Sequence, residues 1–338
     1  MMDSPRPVLE VSDLAVALRQ DNALVPIVED ISFTLARGEV LALVGESGSG
    51  KSVTALSLMQ LLSRELAITK GRILLRGENG DETDIVELGA DGRAIEAIRG
   101  QRMGMIFQEP MSSFSPIHTI GAQITEVVLI HEKVTMREAR ARAADLLEKV
   151  GIPDPKGALD RYPQEFSGGM RQRAMIARAL ICGPSLLIAD EPTTALDVTI
   201  QSQILDLMRK IKGELGMAIL FITHDLGIVA QMADRVAIMY AGRIVESGPV
   251  GDIFRAPAHP YTRALLDAVP RLGDIDRGRK IHPISGSIPN IFDMSRGCRF
   301  HPRCPRAVQP ICAEAPPPVF ASGRHSVACI HGEAELAR

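Results

Sequence analysis

Tryptophan is missing from this 338-residue chain, and the other aromatics are scarce: nine Phe and three Tyr. Long apolar runs are missing too. Stretches such as Met217–Ile222 fall far short of the roughly 20 residues that a membrane-crossing helix needs. No N-terminal segment combines the charged, apolar and small-residue parts of a secretory signal. The expected compartment is therefore the cytosol, and any membrane role is expected to pass through a partner. A basic excess is also lacking. With 38 Lys and Arg against 41 Asp and Glu, the formal charge of −3 gives no support to a nucleic-acid partner, which usually needs a basic face. Neither internal repeats nor low-complexity tracts occur. Only Cys182 precedes residue 297, and the other four cysteines fall within residues 298–329. What remains is an ordinary globular composition, 46% hydrophobic and 23% charged, long enough for two or three structural units.

Three glycines and a lysine follow the apolar run Val40–Val44 in the stretch GESGSGKS. Gly45, Gly50, Lys51 and Ser52 fit the phosphate-binding pattern G-x-x-x-x-G-K-[ST], with a buried strand before it and a helix expected over 52–62 after it. Bare backbone at Gly45, Gly48 and Gly50 lets the N–H groups of the loop, which also holds Glu46, Ser47 and Ser49, turn inward on an anion. The helix N-terminus adds partial positive charge, Lys51 a full one, and the Ser52 hydroxyl suits Mg²⁺. A Gly/Ser-rich turn with an incidental lysine is the plainer reading, and the flanking strand and helix disfavour it.

Residues 8–44 read as β-rich, with strands expected at Val8–Val11, Leu14–Leu18, Ile31–Leu35 and Val40–Val44, and a strand pair over 72–88. The period turns helical over about 120–150, ended by Gly151. Helices are expected over Gly168–Leu180 and 200–215, and buried strands at Ser185–Ala189 and Ala218–Thr223. Strands alternating with helices around a phosphate loop imply an α/β fold with a mostly parallel, helix-covered sheet. After about Gly248 the composition shifts to Pro, Arg, His and Cys, marking a separate C-terminal piece.

A phosphate loop of this kind needs an acid near its Mg²⁺ at the end of a neighbouring strand, and LLIADEP supplies Asp190 and Glu191. Asp190 suits metal coordination, and Glu191 suits a general base acting on the attacking water. FSGGMRQR puts Ser167, Gly168, Gly169 and Met170 at a second bare helix start able to bind an anion. One phosphate loop and a separate phosphate cradle in one chain suggest two chains facing each other. Gln108, after the strand candidate Met103–Phe107, and His224, after Ala218–Thr223, are weak signals alone.

Over nearly its whole length the sequence resembles the ATP-binding subunits of ABC transporters. GESGSGKS is similar to their Walker A, LLIADE to their Walker B and FSGGM to their signature. Gln108 falls at the Q-loop, Ala195-Leu196-Asp197 at the D-loop and His224 at the switch histidine. The resemblance implies a RecA-like P-loop ATPase core with an antiparallel β subdomain, a helical signature subdomain and a small C-terminal Cys-containing extension. It implies ATP and Mg²⁺ as ligands, with Gly45 to Ser52 and Gln108 on the nucleotide and Ser52, Gln108 and Asp190 toward the metal. Glu191 would activate water and His224 hold the γ-phosphate. Ser167, Gly168, Gly169 and Met170 would serve the nucleotide bound mainly by a second cassette, and Asp197 belongs to the D-loop. The implied division is 1–248, a nucleotide-binding domain with a helical insert at about 110–165, and 249–338, the extension. The implied partners are a second, different cassette, two transmembrane permease subunits and an extracytoplasmic solute-binding protein. The chain would sit at the cytoplasmic face of a bacterial inner membrane, held through the permeases.

Two departures stand out. Phe166 and Met170 replace the Leu and Gln of many relatives, a form common in the peptide-importer branch. Residues 1–32 hold no Phe, Tyr or Trp to stack on adenine, so an aliphatic such as Leu18 takes that place, losing about 1 kcal/mol of stacking. A soluble twin-cassette ATPase would need two cassettes or long insertions, and a GTPase the N-K-x-D signature; the sequence has none of these.

Residues 253–270, IFRAPAHPYTRALLDAVP, are similar to the C-terminal extension of dipeptide and oligopeptide importer ATPases. That implies import of peptides or, in the same branch, of opines, nickel complexes or oligosaccharides. Cys298, Cys304, Cys312 and Cys329 follow, with five, seven and sixteen residues between them. In a cytosolic segment such thiols are poor disulfide candidates. A 4Fe–4S cluster, which the resemblance implies for some members, a zinc ion and free thiols are the open readings. Arg296, Arg299, Arg303 and Arg306 suggest an electropositive setting that favours thiolates. The segment has few large apolar residues and is expected to lie far from the phosphate loop. Cys182 reads as a small buried residue.

Overall fold

The computed structural model describes residues 7–20, 23–77, 79–108, 113–194, 196–269 and 284–337. Ala195 of the expected D-loop, residues 110–112 of the expected helical insert and Pro270 lie outside them. Residues 1–10, 34–39 and 74–222 form one compact unit, and residues 11–33, 40–73 and 223–338 form a second.

In the first unit the strands Met103–Ile106, Leu186–Asp190 and Ala218–Thr223 run parallel, Met103 opposite Leu186 and Leu186 opposite Ala218. Every residue in them is buried, the continuous apolar pattern of a strand covered on both faces. Helix Gly168–Leu180 packs on Met103–Ile106, and Gly104 permits it: a Cβ there would meet the Ala179 carbonyl oxygen at 2.3 Å. The helical stretch expected over 120–150 is two helices, Ile120–His131 and Met136–Lys149. The Thr135 side chain and Glu138 cap the second one reciprocally, a start signal that a count of apolar period alone passes over. Helix Val198–Leu215 begins at the Asp197 side chain and ends at Gly216, left-handed at φ 61°. The strand pair expected over 72–88, with a polar turn at 77–84, is shifted: Arg76 stands opposite Glu82, the second strand Glu82–Asp84 lies within the expected turn, and Ile85–Leu88 is a helix.

In the second unit, Val40–Val44 runs parallel to Arg235–Tyr240, Leu41 opposite Arg235. The chain then turns back at Ala241 and Gly242, both left-handed (φ 45° and 85°), into Arg243–Pro249; two positive φ values suit the tight twisted hairpin. His325–Ala328 adds to that strand, Glu246 opposite Val327, and Val319–Ser322 pairs with His325–Ala328. The sequence reading passed over these last four strands, because those after residue 318 are four residues long and carry His, Ser and Ala. A second sheet takes Ala23–Leu35, Leu9–Gln20 and Leu66–Arg76 in that order. The two short strands expected at 8–18 are one. Asp13, at φ 49°, absorbs the kink, and its N–H donates to Ser32 Oγ at 2.9 Å. The helix expected over 52–62 is Lys51–Leu58, with left-handed Gln60 (φ 52°) just beyond it.

The strand Arg243–Pro249 runs directly into helix Val250–Arg255, and helix Pro260–Asp267 follows. The buried Glu246 carboxylate accepts from Ala258 N–H (2.6 Å) and His259 N–H (2.9 Å) and pairs with His325 Nε2 (2.7 Å). Tyr240, Tyr261 and Phe300 pack ring on ring, with centroids 4.6 to 5.3 Å apart. Ala258, Val327 and Cys329 form a small core with Phe320 and Leu336 against it. The cysteine segment, judged poor in apolar residues, thus gains its support from strand pairing and a concentrated aromatic cluster. Among the described residues no helix is long and apolar enough to cross a membrane.

Two glycines should respond to alanine in opposite directions. Gly104→Ala forces a backbone clash and is expected to cost about 1–3 kcal/mol. Gly213→Ala lies inside helix Val198–Leu215 where a Cβ meets nothing within 4 Å and should add up to about 1 kcal/mol. Urea unfolding of both variants checks this; equal signs would contradict the packing described.

Candidate functional site

The motifs divide between the two units. In the second, Gly45–Ser52 leaves the end of Val40–Val44 and enters helix Lys51–Leu58. Bare backbone is required here by space as well as by angle. A Cβ on Gly45 would meet the Met239 carbonyl oxygen at 2.1 Å and Ser49 Oγ at 2.7 Å. Gly48 and Gly50 are left-handed (φ 78° and 98°), and a Cβ on Gly50 would also meet Met239 Cε at 2.9 Å. Gly50 caps the helix without a side chain, so the first-turn N–H groups have no side-chain acceptor from the cap. Lys51, 6% exposed, curls back over the loop and donates to Gly45 O (2.8 Å) and Glu46 O (3.0 Å). The Ser49 carbonyl accepts from Gly242 N–H at 2.8 Å, and Glu46 N–H donates to the Tyr261 hydroxyl at 3.0 Å. His224 is exposed, just after Ala218–Thr223. The next residue, Asp225, starts helix Leu226–Met232 by accepting from Gly227 and Ile228 N–H.

In the first unit, Asp190 ends a fully buried strand and is 4% exposed. Glu191 follows in the left-handed region (φ 47°), its N–H donating to Ile222 O at 2.9 Å. Its Oε2 accepts from Gln108 Nε2 (3.1 Å) and Thr194 Oγ1 (2.9 Å). Two of the candidate residues, Gln108 and Glu191, are thus brought together, and Thr194, which the sequence reading passed over, completes the grip. The buried Gln172 of helix Gly168–Leu180 donates to the Pro192 carbonyl, another contact not foreseen. Ser167 caps that helix, accepting from Met170 N–H at 3.3 Å. Gly169 abuts Ile200, where a Cβ would come within 3.0 Å of Cγ2, while a Cβ on Gly168 would meet nothing. Ser167 and Gly168 are exposed. Asp197 accepts from Ile200 N–H at 3.0 Å and is exposed.

Cys298, Cys304, Cys312 and Cys329 all line one cavity of about 20 Å³, with His259, His301 and His331. Among the described residues, however, no three His, Cys, Asp or Glu side chains are placed to hold a single metal ion. The electropositive setting expected around these thiols is corrected by the pairing of the arginines. Arg299 donates to Glu29 and the Ala241 carbonyl, Arg303 to Glu46, and Arg306 to Glu335. Burial would raise the Glu335 carboxyl, but Arg306 and Arg263 hold it down at about 2. Burial pushes the Cys298 thiol up to about 11, with the neighbouring cysteines adding to it, and also raises Cys304 and Cys329. Backbone N–H groups of Phe300, Arg306 and His331 oppose it at Cys298, Cys304 and Cys329, and the Arg306 charge opposes it at the last two. The expected distance from the phosphate loop is corrected too, because Glu46, the partner of Arg303, belongs to that loop. Cys182 is half-buried, and burial lifts its thiol to about 11.

Comparison with known proteins bears on the family. The family described as ABC transporter matches residues 28–194, and the oligopeptide/dipeptide transporter C-terminal region matches residues 245–312. A Brucella melitensis biotype 1 protein named as a peptide import ATP-binding protein is 51% identical over 332 residues, 97% of this chain and 98% of its own. The glutathione import ATP-binding protein GsiA of Escherichia coli strain K12 is 52% identical over 268 residues, 79% of this chain and 42% of its own. Among solved structures, the dimeric ABC transporter cassette MJ0796 matches with a TM-score of 0.62 at 24% identity, covering 72% of this chain and 98% of that one. That likeness bears on the fold, an α/β P-loop ATPase. With both family regions in order and a relative aligned almost end to end, the chain belongs to the ATP-binding proteins of ABC transporters, in the branch that carries the oligopeptide/dipeptide C-terminal region.

Proposed function

We propose that this chain is the ATP-hydrolysing subunit of a bacterial importer for peptides, pairing with a second, different cassette and energising two permease subunits fed by an extracytoplasmic binding protein. The relatives named for peptide and glutathione import support peptides over the other cargoes of the branch. Residues 1–248 would form the nucleotide-binding domain, with the insert at about 110–165 carrying the permease-facing surface, and 249–338 the extension. The chain would sit at the cytoplasmic face of the inner membrane.

The observation that carries the reading is the fixed carboxylate of Glu191, gripped by Gln108 and Thr194. Glu191 would polarise the attacking water, and His224 would hold the γ-phosphate. Gly45 to Ser52 would hold the phosphates, which compete for the Lys51 protons now given to Gly45 and Glu46 carbonyls. Ser52, Gln108 and Asp190, all oxygen donors, suit Mg²⁺, which supplies charge neutralisation at the phosphates. Exposed Ser167 and Gly168, with Gly169 and Met170, would meet the nucleotide of the other cassette, and Asp197 would lie in the same interface. Binding energy that favours the closed pair over the open one is what would couple ATP to transport. Glu191→Gln should keep ATP binding and slow hydrolysis at least about a hundredfold in the assembled transporter. Near-normal turnover would remove Glu191 from this role.

The four thiols support a further cofactor, a 4Fe–4S cluster. They line one cavity of about 20 Å³, and thiolates are the ligands such a cluster takes, although among the described residues no three are placed to hold a single ion. The cavity would have to widen to admit it. Protein purified without oxygen should be brown with about four irons per chain, and Cys304→Ser should bleach it. In iron-free protein at pH 8, the Cys298 thiol, raised from 9.0 to about 11, should alkylate about a hundredfold more slowly than an ordinary thiol. The folded thiol keeps its proton longer than the unfolded one. Its contribution to stability is therefore whole below pH 9 and lost as pH rises from 9 to about 11. Neither metal in anaerobic material, or fast alkylation at pH 8, would count against this site.

A further inference from the structure

The phosphate loop is fastened from behind by the cysteine segment. Arg303 Nη1 donates to both carboxylate oxygens of Glu46, the second residue of GESGSGKS, at 3.2 and 3.0 Å. Arg303 immediately precedes Cys304, in the single turn His301–Arg303. Its side chain is only 5% exposed and is held on every side. Nε donates to Ser285 O (2.8 Å), Nη2 to Ile284 O (3.3 Å) and Nη1 to the Tyr240 hydroxyl (3.3 Å), and the guanidinium lies 5.7 Å from the Tyr240 ring centroid. Tyr261, whose hydroxyl accepts the Glu46 N–H, packs on Tyr240 and Phe300, the latter also in the cysteine segment. A second strut meets the other end of the loop: Arg299 donates to Ala241 O, and the next residue, Gly242, donates its N–H to Ser49 O.

We propose that Arg303 is a positioning residue for the phosphate loop, and that through it the four-cysteine segment sets this chain's affinity for nucleotide. Glu46 left without Arg303 would place a loose negative charge beside the triphosphate and free the loop's first turn to move. Held, its charge is neutralised and the N–H groups of the loop keep the shape that receives phosphate. Such coupling is reciprocal, so bound nucleotide must also steady the cysteine segment. The inference rests on the reading of Gly45–Ser52 as a nucleotide loop.

The test uses the purified full chain and measures ATP affinity and cysteine alkylation for wild type, Arg303→Gln, Glu46→Gln and the double variant. Each single variant is expected to weaken ATP binding about tenfold, the scale of one lost charge-assisted contact. The double variant should be no worse than the weaker single. Arg303→Lys should recover part of the loss. In the assembled transporter, kcat at saturating ATP should hold for Arg303→Gln while KM rises. Saturating ATP should slow iodoacetamide labelling of Cys304 in wild type and not in Arg303→Gln. Unchanged affinity in Arg303→Gln, or losses that multiply in the double variant, would overturn the proposal. Should Arg303→Gln not fold, Tyr261→Phe keeps the ring and removes the hydroxyl that accepts Glu46 N–H. An affinity loss of about threefold is then expected, for one neutral hydrogen bond, and no loss overturns the proposal. A wild-type chain that binds no ATP would fail the nucleotide reading itself, an outcome separate from any difference between variants.

Discussion

Strand Arg235–Tyr240 presses so closely on the phosphate loop that Gly45 has no room for a single carbon beyond its backbone, and much of the second unit follows from that contact. The strand lies parallel to Val40–Val44, so the loop springs from the end of its neighbour. Met239 fills the space under Gly45 and Gly50. Where the strand ends, the Ala241–Gly242 turn bonds back to the loop at Ser49, and Gly242 itself is hemmed in, a Cβ there falling 1.9 Å from the Ile27 carbonyl. Tyr240 then offers its ring to Tyr261 and Phe300 and its hydroxyl to Arg303. A loop made almost wholly of small residues has little side-chain packing of its own. Its shape is imposed by the strand and turn beneath it.

The first unit solves a different problem, that of holding an acid at a backbone angle it disfavours. Left-handed Glu191 costs on the order of 1–2 kcal/mol. The geometry is held by several hydrogen bonds: from its N–H to Ile222, to its carboxylate from Gln108 and Thr194, and to the following carbonyl from Gln172. Gln172 matters for a second reason. It sits on the helix that Ser167 caps, so the helix that starts in FSGGM and the turn after Asp190 are joined by a hydrogen bond within one unit.

The candidate nucleotide motifs stand out in the sequence because their chemistry is local: glycines, a lysine and a hydroxyl in eight consecutive residues, or two acids at the end of an apolar strand. The buried strands Met103–Ile106, Leu186–Asp190 and Ala218–Thr223 could be read for the same reason, each a short apolar run between polar ends. What stayed hidden was settled by partners far along the chain. The strands after residue 318 are made by pairing with Arg243–Pro249, and nothing in Val319–Ser322 or His325–Ala328 announces it. Arg303 and Glu46 are separated by 257 residues. A cluster of arginines beside cysteines therefore read as free positive charge, when each of three had a carboxylate waiting elsewhere. The joined strand at Leu9–Gln20 was missed because Asp13 looks like a turn residue and is instead a kink within a ladder.

Those three pairings also explain the state of the thiols. Each pair joins one buried group to a partner that is still part-exposed, Glu29 at 27%, Glu46 at 26% and Arg306 at 38%, so solvent screens them and they are weak sources of net stability. They are better understood as fixing register: Arg299 on Glu29, Arg303 on Glu46 and Arg306 on Glu335 each admit one placement of the segment. With two of these cations already turned to carboxylates elsewhere and Arg306 shared with Glu335, the cavity between the cysteines is left close to neutral. Burial then favours the protonated form of Cys298, Cys304 and Cys329, Cys298 up to about 11. Any centre held there must bring its own positive charge to displace the protons, because the arginines have been spent on the fold.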